Sequence, residues 1–290
     1  MAVTPDGRTA LGGIDQLHPD FRATNFSSTD KGFVAVWDTA DGHLQRLVPA
    51  PFAVNALAVA GDGRRVILNG RSGWGVLDLP SSRLLFTHEG LPPFDWVDGL
   101  PMASVSRDGS KAAISRGNVV SIIDMLKGNE ALHGDLHDQV SSFAWLRGGQ
   151  VLAAGSVGGR LYFLSPTTLR EVEPTRLIAG GYVMALEASP DGRVMASLGT
   201  DGDLTLWDTG TLHPYGKPVS DNQMWGILSF SADSRTLRVF HETGWLVELD
   251  TDPRAWVREA CAAANRDLTP EESALIRPGK PLRSTCGGMH

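Results

Sequence analysis

Cysteine is scarce in this chain. Cys261 and Cys286 are the only two among 290 residues, and both lie in its last tenth. No disulfide framework and no paired CxxC zinc site can therefore organise the fold. The pair allows two interpretations. A disulfide would clip the tail onto the last repeat by closing a loop of about 25 residues, worth about 3 kcal/mol. Two buried thiols would instead pack as small apolar groups, which is the expected state in a reducing cytoplasm.

Positive charge and long apolar runs are also lacking. Lysine and arginine number 26 against 33 aspartates and glutamates, which gives a net charge of −7 without a basic run. Nucleic acids and anionic membranes need clustered positive charge, so neither is an expected partner. No apolar run approaches the roughly 18 residues of a membrane helix, and the first residues lack the pattern of a signal peptide. We expect a cytoplasmic protein.

No catalytic or metal-binding pattern is found. Ser156 lies one glycine short of a nucleophile elbow and in a strand–turn–strand context, which predicts a structural role. The glycines of Gly70–Gly75 precede a strand instead of a helix, and no Walker loop occurs, so no phosphate site is predicted. His133 and His137 lie too far apart on an extended strand to share an ion, because residues two apart are separated by about 6.6 Å. We therefore expect no enzyme activity, no cofactor and no metal.

What the chain does have is an internal repeat. Its 42% hydrophobic and 20% charged residues are typical of a globular protein with a sizeable core. Six segments share an alternating apolar run, a tight polar turn and a second apolar run, which predicts six β-hairpins. The segments begin at Ala2, Ala56, Ala103, Ser142, Ala185 and Ile227. Four of the turns contain an Asp-Gly pair, at Asp6, Asp62, Asp108 and Asp191.

A third apolar run follows each hairpin and gives the period. These runs end at Asp38, Asp78, Asp124, Ser165, Asp208 and Asp250, at intervals of 40, 46, 41, 43 and 42 residues. A fixed period of this length, built from strands, predicts one four-stranded sheet per repeat.

Two repeats close on a Trp-Asp pair, at Trp37-Asp38 and Trp207-Asp208, and the fifth also has Thr200 and Asp201. With the period, these residues make the chain resemble the WD-repeat β-propellers, whose blades are four-stranded meanders. The resemblance implies an all-β propeller over residues 1–251, with six recognisable four-stranded repeats of which the last lacks its outer strand. No repeat has the family's full set of His, Ser or Thr, Asp and Trp, so we expect apolar packing to hold the blades together. In the fourth, Gly158 and Phe163 replace the acid and the tryptophan.

The ends of the repeat region differ from its interior. Between the end of one third strand and the next hairpin turn the chain normally has about 24 to 26 residues, whereas only five residues precede the turn at Asp6. We therefore expect the chain to begin inside a repeat. It is then either an imperfectly closed ring of six blades or the C-terminal part of a longer array, and the longer array is favoured because an unpaired sheet edge invites aggregation. Over residues 252–290 a helical tail packed on the propeller is predicted. Asp252 and Pro253 begin its first helix, and Thr269–Glu272 is a capping box.

The tail also resembles the endings of actinobacterial multidomain proteins in which WD repeats follow a STAND-type NTPase, a protease-like module or a regulatory module. That resemblance implies the sensing or scaffolding end of such a protein, with a role in signal transduction. Ser273 and Leu282 stand where those endings tend to have aromatic residues.

Two insertions point to an interaction surface. An excess of about 15 residues falls between the second and third strands of the first repeat, and one of about six residues falls between the second and third repeats. Both lie on the same face of a propeller. We expect a non-catalytic scaffold or sensor that binds a peptide or protein there, since aromatic and arginine side chains on loops dominate recognition surfaces. The candidate partner-binding residues are Phe21, Phe26, Arg71, Phe94, Trp96, Arg116, Tyr182, Trp225 and His241.

Other interpretations stay open. Trp74, Trp225 and Trp245 are expected to fill space between blades, as aromatic residues in β cores do. A propeller that binds a small ligand in its central channel is the alternative function, with Arg71, Arg116 and His241 converging on the ligand. An incomplete gene product without a function of its own is a third possibility.

Overall fold

The chain folds as a succession of antiparallel β-sheets. The computed structural model describes residues 1–15, 31–89, 102–220, 226–264, 266–276 and 286. Within them, six sheets follow one another along the chain, and each is an antiparallel meander in which consecutive strands pair. The predicted all-β, propeller-like fold with a short helical tail is confirmed. No helix among these residues combines the length and the apolar character that crossing a membrane requires.

The first three sheets have four strands each. The first consists of β1 (Ala2–Val3), β2 (Thr9–Asp15), β3 (Gly32–Asp38) and β4 (Leu44–Ala50). The second consists of β5 (Ala56–Val59), β6 (Arg65–Asn69), β7 (Gly73–Asp78) and β8 (Arg83–Glu89). The third consists of β9 (Met102–Val105), β10 (Lys111–Arg116), β11 (Val119–Asp124) and β12 (Asn129–Asp135).

The last three sheets become less regular toward the C-terminus. The fourth has β13 (Val140–Leu146), β14 (Val151–Ser156), β15 (Arg160–Leu164) and β16 (Glu171–Leu177). The fifth has β17 (Val183–Ala188), β18 (Val194–Gly199) and β19 (Asp203–Asp208), and its outer strand is split into β20 (His213–Pro214) and β21 (Val219–Ser220). The sixth has β22 (Gly226–Phe230), β23 (Thr236–His241) and β24 (Leu246–Asp250). Among the described strands none pairs as a fourth with β24, so the predicted lack of an outer strand is confirmed.

Apolar clusters between consecutive sheets form the core. Five buried clusters lie at the five junctions from the first sheet to the sixth. The junction of the second and third sheets is typical: Ile67 and Val76 of one meet Ile114 and Ile123 of the other, and all four are almost completely buried. Burial stabilises such contacts by about 25 cal/mol per Å² of apolar surface. In the part of the chain that is described, no such cluster joins the sixth sheet to the first.

The two tryptophans of the Trp-Asp pairs serve packing. Trp207 is buried between the fourth and fifth sheets, where its ring meets that of Phe163 edge-on and its Nε1 donates a hydrogen bond to Ser197 Oγ at 2.9 Å. Trp37 lies over Gly12, and a β-carbon at Gly12 would come within 3.0 Å of the indole. Both residues therefore act through contacts with the neighbouring strand, as the structural role predicted for them requires.

The aspartates of these pairs begin the turn to the fourth strand. Asp38 Oδ1 accepts a hydrogen bond from the backbone N–H of Ala40, and Asp208 Oδ1 accepts one from Thr211. In each of the first five sheets, the residue four positions after the last residue of the predicted third run has a positive φ: these residues are Gly42, Ser82, Gly128, Leu169 and Leu212. The repeated turn is therefore set by an acceptor side chain followed by one left-handed residue.

The sixth sheet departs from this rule because a helix follows it. Asp250 accepts the backbone N–H of Asp252 in the same way, but Pro253 then begins α1 (Pro253–Ala264). The cap at Asp252 is confirmed by its hydrogen bond from the Arg254 N–H at 3.0 Å. A second helix, α2 (Pro270–Ile276), begins after Thr269.

The predicted capping box is formed at α2. Thr269 Oγ1 accepts the Glu272 N–H at 3.2 Å, and Glu272 Oε2 accepts the Thr269 N–H at 2.9 Å. The Arg266 guanidinium binds the same carboxylate through two nitrogens and, as the largest cause, lowers the pKa of Glu272 to about 2.

A disulfide joins the two cysteines. Cys261 of α1 is bonded to Cys286 across 25 positions of sequence. The structure thus adopts the disulfide and not the pair of thiols that the sequence favoured for a reducing compartment. The bond holds Cys286 beside the residues between the helices, where its N–H donates to Asp267 Oδ1.

Gly128 should be the most sensitive of the turn glycines. Its φ is +66°, and an added β-carbon would overlap the ring of Phe86. Gly42 occupies the same place in the first sheet with a φ of +71° and open space around it. We expect Gly42→Ala to cost about 1–2 kcal/mol from the left-handed conformation alone. Gly128→Ala should cost roughly 1–3 kcal/mol more from overpacking. Urea unfolding of both variants checks this, and equal losses would contradict it.

The disulfide should control the tail and leave the sheets unchanged. Its removal lengthens the free chain beyond α1, so Cys261→Ser or a reductant should speed proteolytic cleavage within residues 253–290. The near-ultraviolet circular dichroism of Trp207 and its neighbours should persist. Intact mass under non-reducing conditions checks that the bond is present. A protease pattern unaffected by reduction would contradict the role given to it.

Candidate interaction face

Two long connections leave the sheets at the same end. β2 ends at Asp15 and β3 begins at Gly32, while β8 ends at Glu89 and β9 begins at Met102. In an antiparallel meander the turn between second and third strands and the link to the next sheet lie at one end, which we call the connection end. Its described residues lie at 51–55, 69–73, 116–119, 136–139, 156–160, 178–182, 199–203 and 241–245. Five predicted partner-binding residues fall outside the described part of the chain: Phe21, Phe26, Phe94, Trp96 and Trp225.

Arg71 and Arg116 lie together where the second sheet meets the third. Arg116 Nη2 donates to the Arg71 carbonyl at 2.6 Å, and only 8% of Arg71 is exposed. Beside them the buried Asn69 donates through Nδ2 to the carbonyls of Met102 and Ser115, both at 2.9 Å. Burial lowers the pKa of Arg116, and the more distant Glu130 carboxylate opposes that effect. These side chains fasten two sheets, so burial argues against Arg71 as a surface contact.

His241 lies in a different sheet from that pair. It ends β23 in the sixth sheet, and the fourth and fifth sheets separate it from the third along the chain. Its side chain is buried, and its backbone N–H donates to the Trp245 carbonyl at 2.9 Å. Of the three residues expected to converge on a small ligand, Arg71 and Arg116 are in contact, and the approach of His241 to them stays a prediction.

Two aromatic side chains are exposed at the connection end. Tyr182 is 51% exposed and Trp245 is 71% exposed. The backbone N–H of Tyr182 donates to Thr200 Oγ1 at 3.0 Å, which fixes this residue against the turn of the fifth sheet. Trp74, in contrast, is buried and stacks on His88 with ring centroids 4.6 Å apart, as the packing interpretation predicted. For Trp245 that interpretation was wrong.

Two acidic side chains organise the turns of this end. Asp201 accepts hydrogen bonds from the backbone N–H groups of Gly180 and Asp203, which is the structural role expected of it. In the fourth sheet Asp138 takes the same part: its Oδ2 accepts Ser156 Oγ at 2.6 Å and Arg160 Nη1 at 3.1 Å. The sequence analysis expected this acid at position 158, where a glycine stands, and did not identify Asp138. The sequence feature that could have identified it is its position directly after His137, in the link from the preceding sheet.

The histidine-rich segment does not assemble a metal site. Within the described residues no three His, Cys, Asp or Glu side chains lie close enough to hold an ion. His133 Nδ1 lies 2.7 Å from Glu130 Oε1, while His137 lies beside Asp135 in a turn. Each imidazole thus has a carboxylate of its own.

Glu187 is the acid whose pKa is most raised. It lies on β17, the first strand of the fifth sheet, which contacts the first strands of the fourth and sixth sheets. Glu187 is exposed as a residue, while the surrounding protein desolvates its carboxylate. Desolvation raises its pKa from 4.5 to about 7. The group therefore changes charge near neutral pH.

Comparison with protein-family models and with curated proteins gives no match for this chain.

The Glu187 carboxyl should make stability depend on pH. Its pKa is higher in the folded chain than in the unfolded one, so between the two values the folded state binds more protons. The stability contributed by this group should therefore be fully present below about pH 4.5 and be lost as the pH rises through about 7. Glu187→Gln should flatten this part of the profile and stabilise the chain at alkaline pH. Thermal unfolding across that range checks it, with the exposed Glu242→Gln as the control for losing one charge. Parallel profiles for Glu187→Gln and the parent chain would contradict it.

Proposed function

We propose that this chain is a non-catalytic protein-interaction domain, a scaffold or sensor that binds a peptide or protein partner at the connection end. The observation that carries the proposal is the exposure of Tyr182 and Trp245 at that end. Large aromatic side chains with one apolar and one polar part are the residues that most often dominate binding energy. Exposing them costs solubility, so a partner that covers them explains their presence.

The support beneath these residues is rigid. The backbone of Tyr182 is bonded to Thr200, and Asp201 fixes the neighbouring link at Gly180. Trp245 is held by its carbonyl, which accepts the His241 N–H. Side chains on such a platform lose little conformational entropy when a partner binds.

The remaining features fit a binding domain of the WD-repeat type. Its partner would be a protein or peptide, with no part for nucleic acid, membrane or cofactor, and the net charge of −7 supports the first two exclusions. A cytoplasmic location is part of the proposal. In such a reducing compartment Cys261 and Cys286 would be held as thiols, and the tail would lack its disulfide.

A phage-displayed library of random peptides, selected on the purified chain, tests the proposal. We expect selected peptides to bind about tenfold or more weakly to the Tyr182→Ala and Trp245→Ala variants, as for hot-spot aromatic residues. Leu126→Ala is the matched control, because Leu126 is also exposed but lies in a turn at the opposite end. Titrations by calorimetry give the affinities.

Two results would overturn the proposal. One is a selection that yields no binding peptide. The other is a set of peptides that lose as much affinity with Leu126→Ala as with Trp245→Ala. Unchanged melting temperatures for all three variants show that the comparison concerns binding.

A further inference from the structure

Among the described residues, no strand pairs with the outer edge of the sixth sheet. β24 is its last strand, whereas in each of the other five sheets a further strand pairs with the third. α1 begins three residues after β24 ends, where the other sheets make the turn to that strand. The described part of the chain therefore supplies no fourth strand here.

The hydrogen-bond register shows which backbone groups face this edge. His241 N–H donates to the Trp245 carbonyl, and Thr251 N–H donates to the Arg235 carbonyl. Because bonding alternates along an antiparallel pair, residues 245, 247, 249 and 251 bond toward β23. Leu246, Glu248 and Asp250 then point their N–H and C=O groups outward. Trp256 Nε1 of α1 donates to the Asp250 carbonyl at 2.7 Å, which agrees with that direction.

An apolar cleft lies beside the edge. Its volume is about 340 Å³, and it opens between the outer strands of the fifth sheet, β24 and α1. Leu204, Leu206 and Leu249 form its floor, and these residues also belong to the core between the fifth and sixth sheets. The cleft thus continues an established interface of the fold. The lining residues are Leu204, Leu206, Tyr215, Gly216, Lys217, Val219, Leu249, Asp250 and Trp256.

The second sheet shows what fills the same place elsewhere in the molecule. Leu249 and Asp250 end β24 as Leu77 and Asp78 end β7. There Leu84 of the fourth strand pairs with Leu77 and packs against the core shared with the preceding sheet. A fourth strand on β24 would place a side chain opposite Leu249 in the same way, on the side of the cleft.

We propose that the rim of the sixth sheet binds an extended segment of a partner protein, which adds to β24 as its fourth strand. Main-chain bonds to Leu246 and Glu248 would supply affinity, and an aliphatic residue entering the cleft opposite Leu249 would supply specificity. The cleft lies at the end of β24 away from Trp245, so this proposal goes beyond the function proposed above.

A synthetic peptide with the sequence of β8, RLLFTHE, is the probe, since this strand already occupies the equivalent place in the second sheet. It should bind the full chain and protect the amides of Leu246 and Glu248 from hydrogen exchange. Glu248→Pro removes the outward N–H and should weaken binding about tenfold or more. Glu248→Ala is the matched control, because it removes only the ion pair with Arg238, whose atoms lie 2.8 Å apart.

Two further measurements keep the test decisive if the proline variant folds poorly. The same peptide with aspartate in place of Leu84 should not bind the parent chain, because the cleft would then receive a charge. In the parent chain alone, the Glu248 amide should exchange rapidly.

Slow exchange of that amide without peptide would overturn the proposal by showing that the edge is already occupied. If the slow exchange grows with protein concentration, the occupant is a second copy. If it is independent of concentration, the occupant is the chain's own tail. Equal binding of the β8 peptide and of its version with aspartate in place of Leu84 would also overturn the proposal. Tyr182→Ala should leave peptide binding unchanged, so a failure here is separable from a failure at the connection end.

Discussion

Burial of both faces of each sheet is the constraint on which this molecule depends. Alternate residues of a strand point to opposite faces, and in the inner sheets both sets are apolar. Ile67 faces the third sheet, whereas its neighbours Val66 and Leu68 face the first. A single sheet of this kind would leave one set in water, so each sheet requires a neighbour on either side. The array holds together because each of the five junctions buries apolar side chains from both of its sheets.

The same constraint explains where the molecule is open to partners. Interior sheets use their faces for one another and cover the outer edge of the third strand with a fourth. The sixth sheet has no described neighbour on its far face, where Ile227, Phe240 and Leu246 form an exposed cross-strand row. Its third strand also has no fourth strand beside it among the described residues. Within that part of the chain, the sixth sheet therefore has both an uncovered face and an uncovered strand edge.

Polar side chains have a different task, which is to fix the turns. The apolar clusters determine that sheets stack, but they do not determine how one strand leads into the next. A backbone N–H just beyond a third strand donates to each of Asp38, Asp208 and Asp250. At the connection end, Asp138 and Asp201 accept hydrogen bonds from the turns of the fourth and fifth sheets. The bonds of Asp201 fix the link that leads to Tyr182, and so they connect the stability of the fold to the proposed binding surface.

What the sequence by itself determined is what depends on near neighbours in the chain. Strand alternation, the Asp-led turns and the caps at Asp252 and Thr269 involve residues only a few positions apart, and the period is visible along the chain itself. The third strands of the repeats end within one residue of the predicted positions. Only the tertiary structure decided which side chains reach solvent. Trp74 and Trp245 have similar sequence surroundings, yet one is buried against His88 and the other is exposed. Three other features also depend on residues from different strands or sheets. They are the hydrogen bonds of Asp138, the contact of Arg71 with Arg116 and the cleft beside β24. Burial is a property of such distant partners, and a single sequence does not specify which of them will meet.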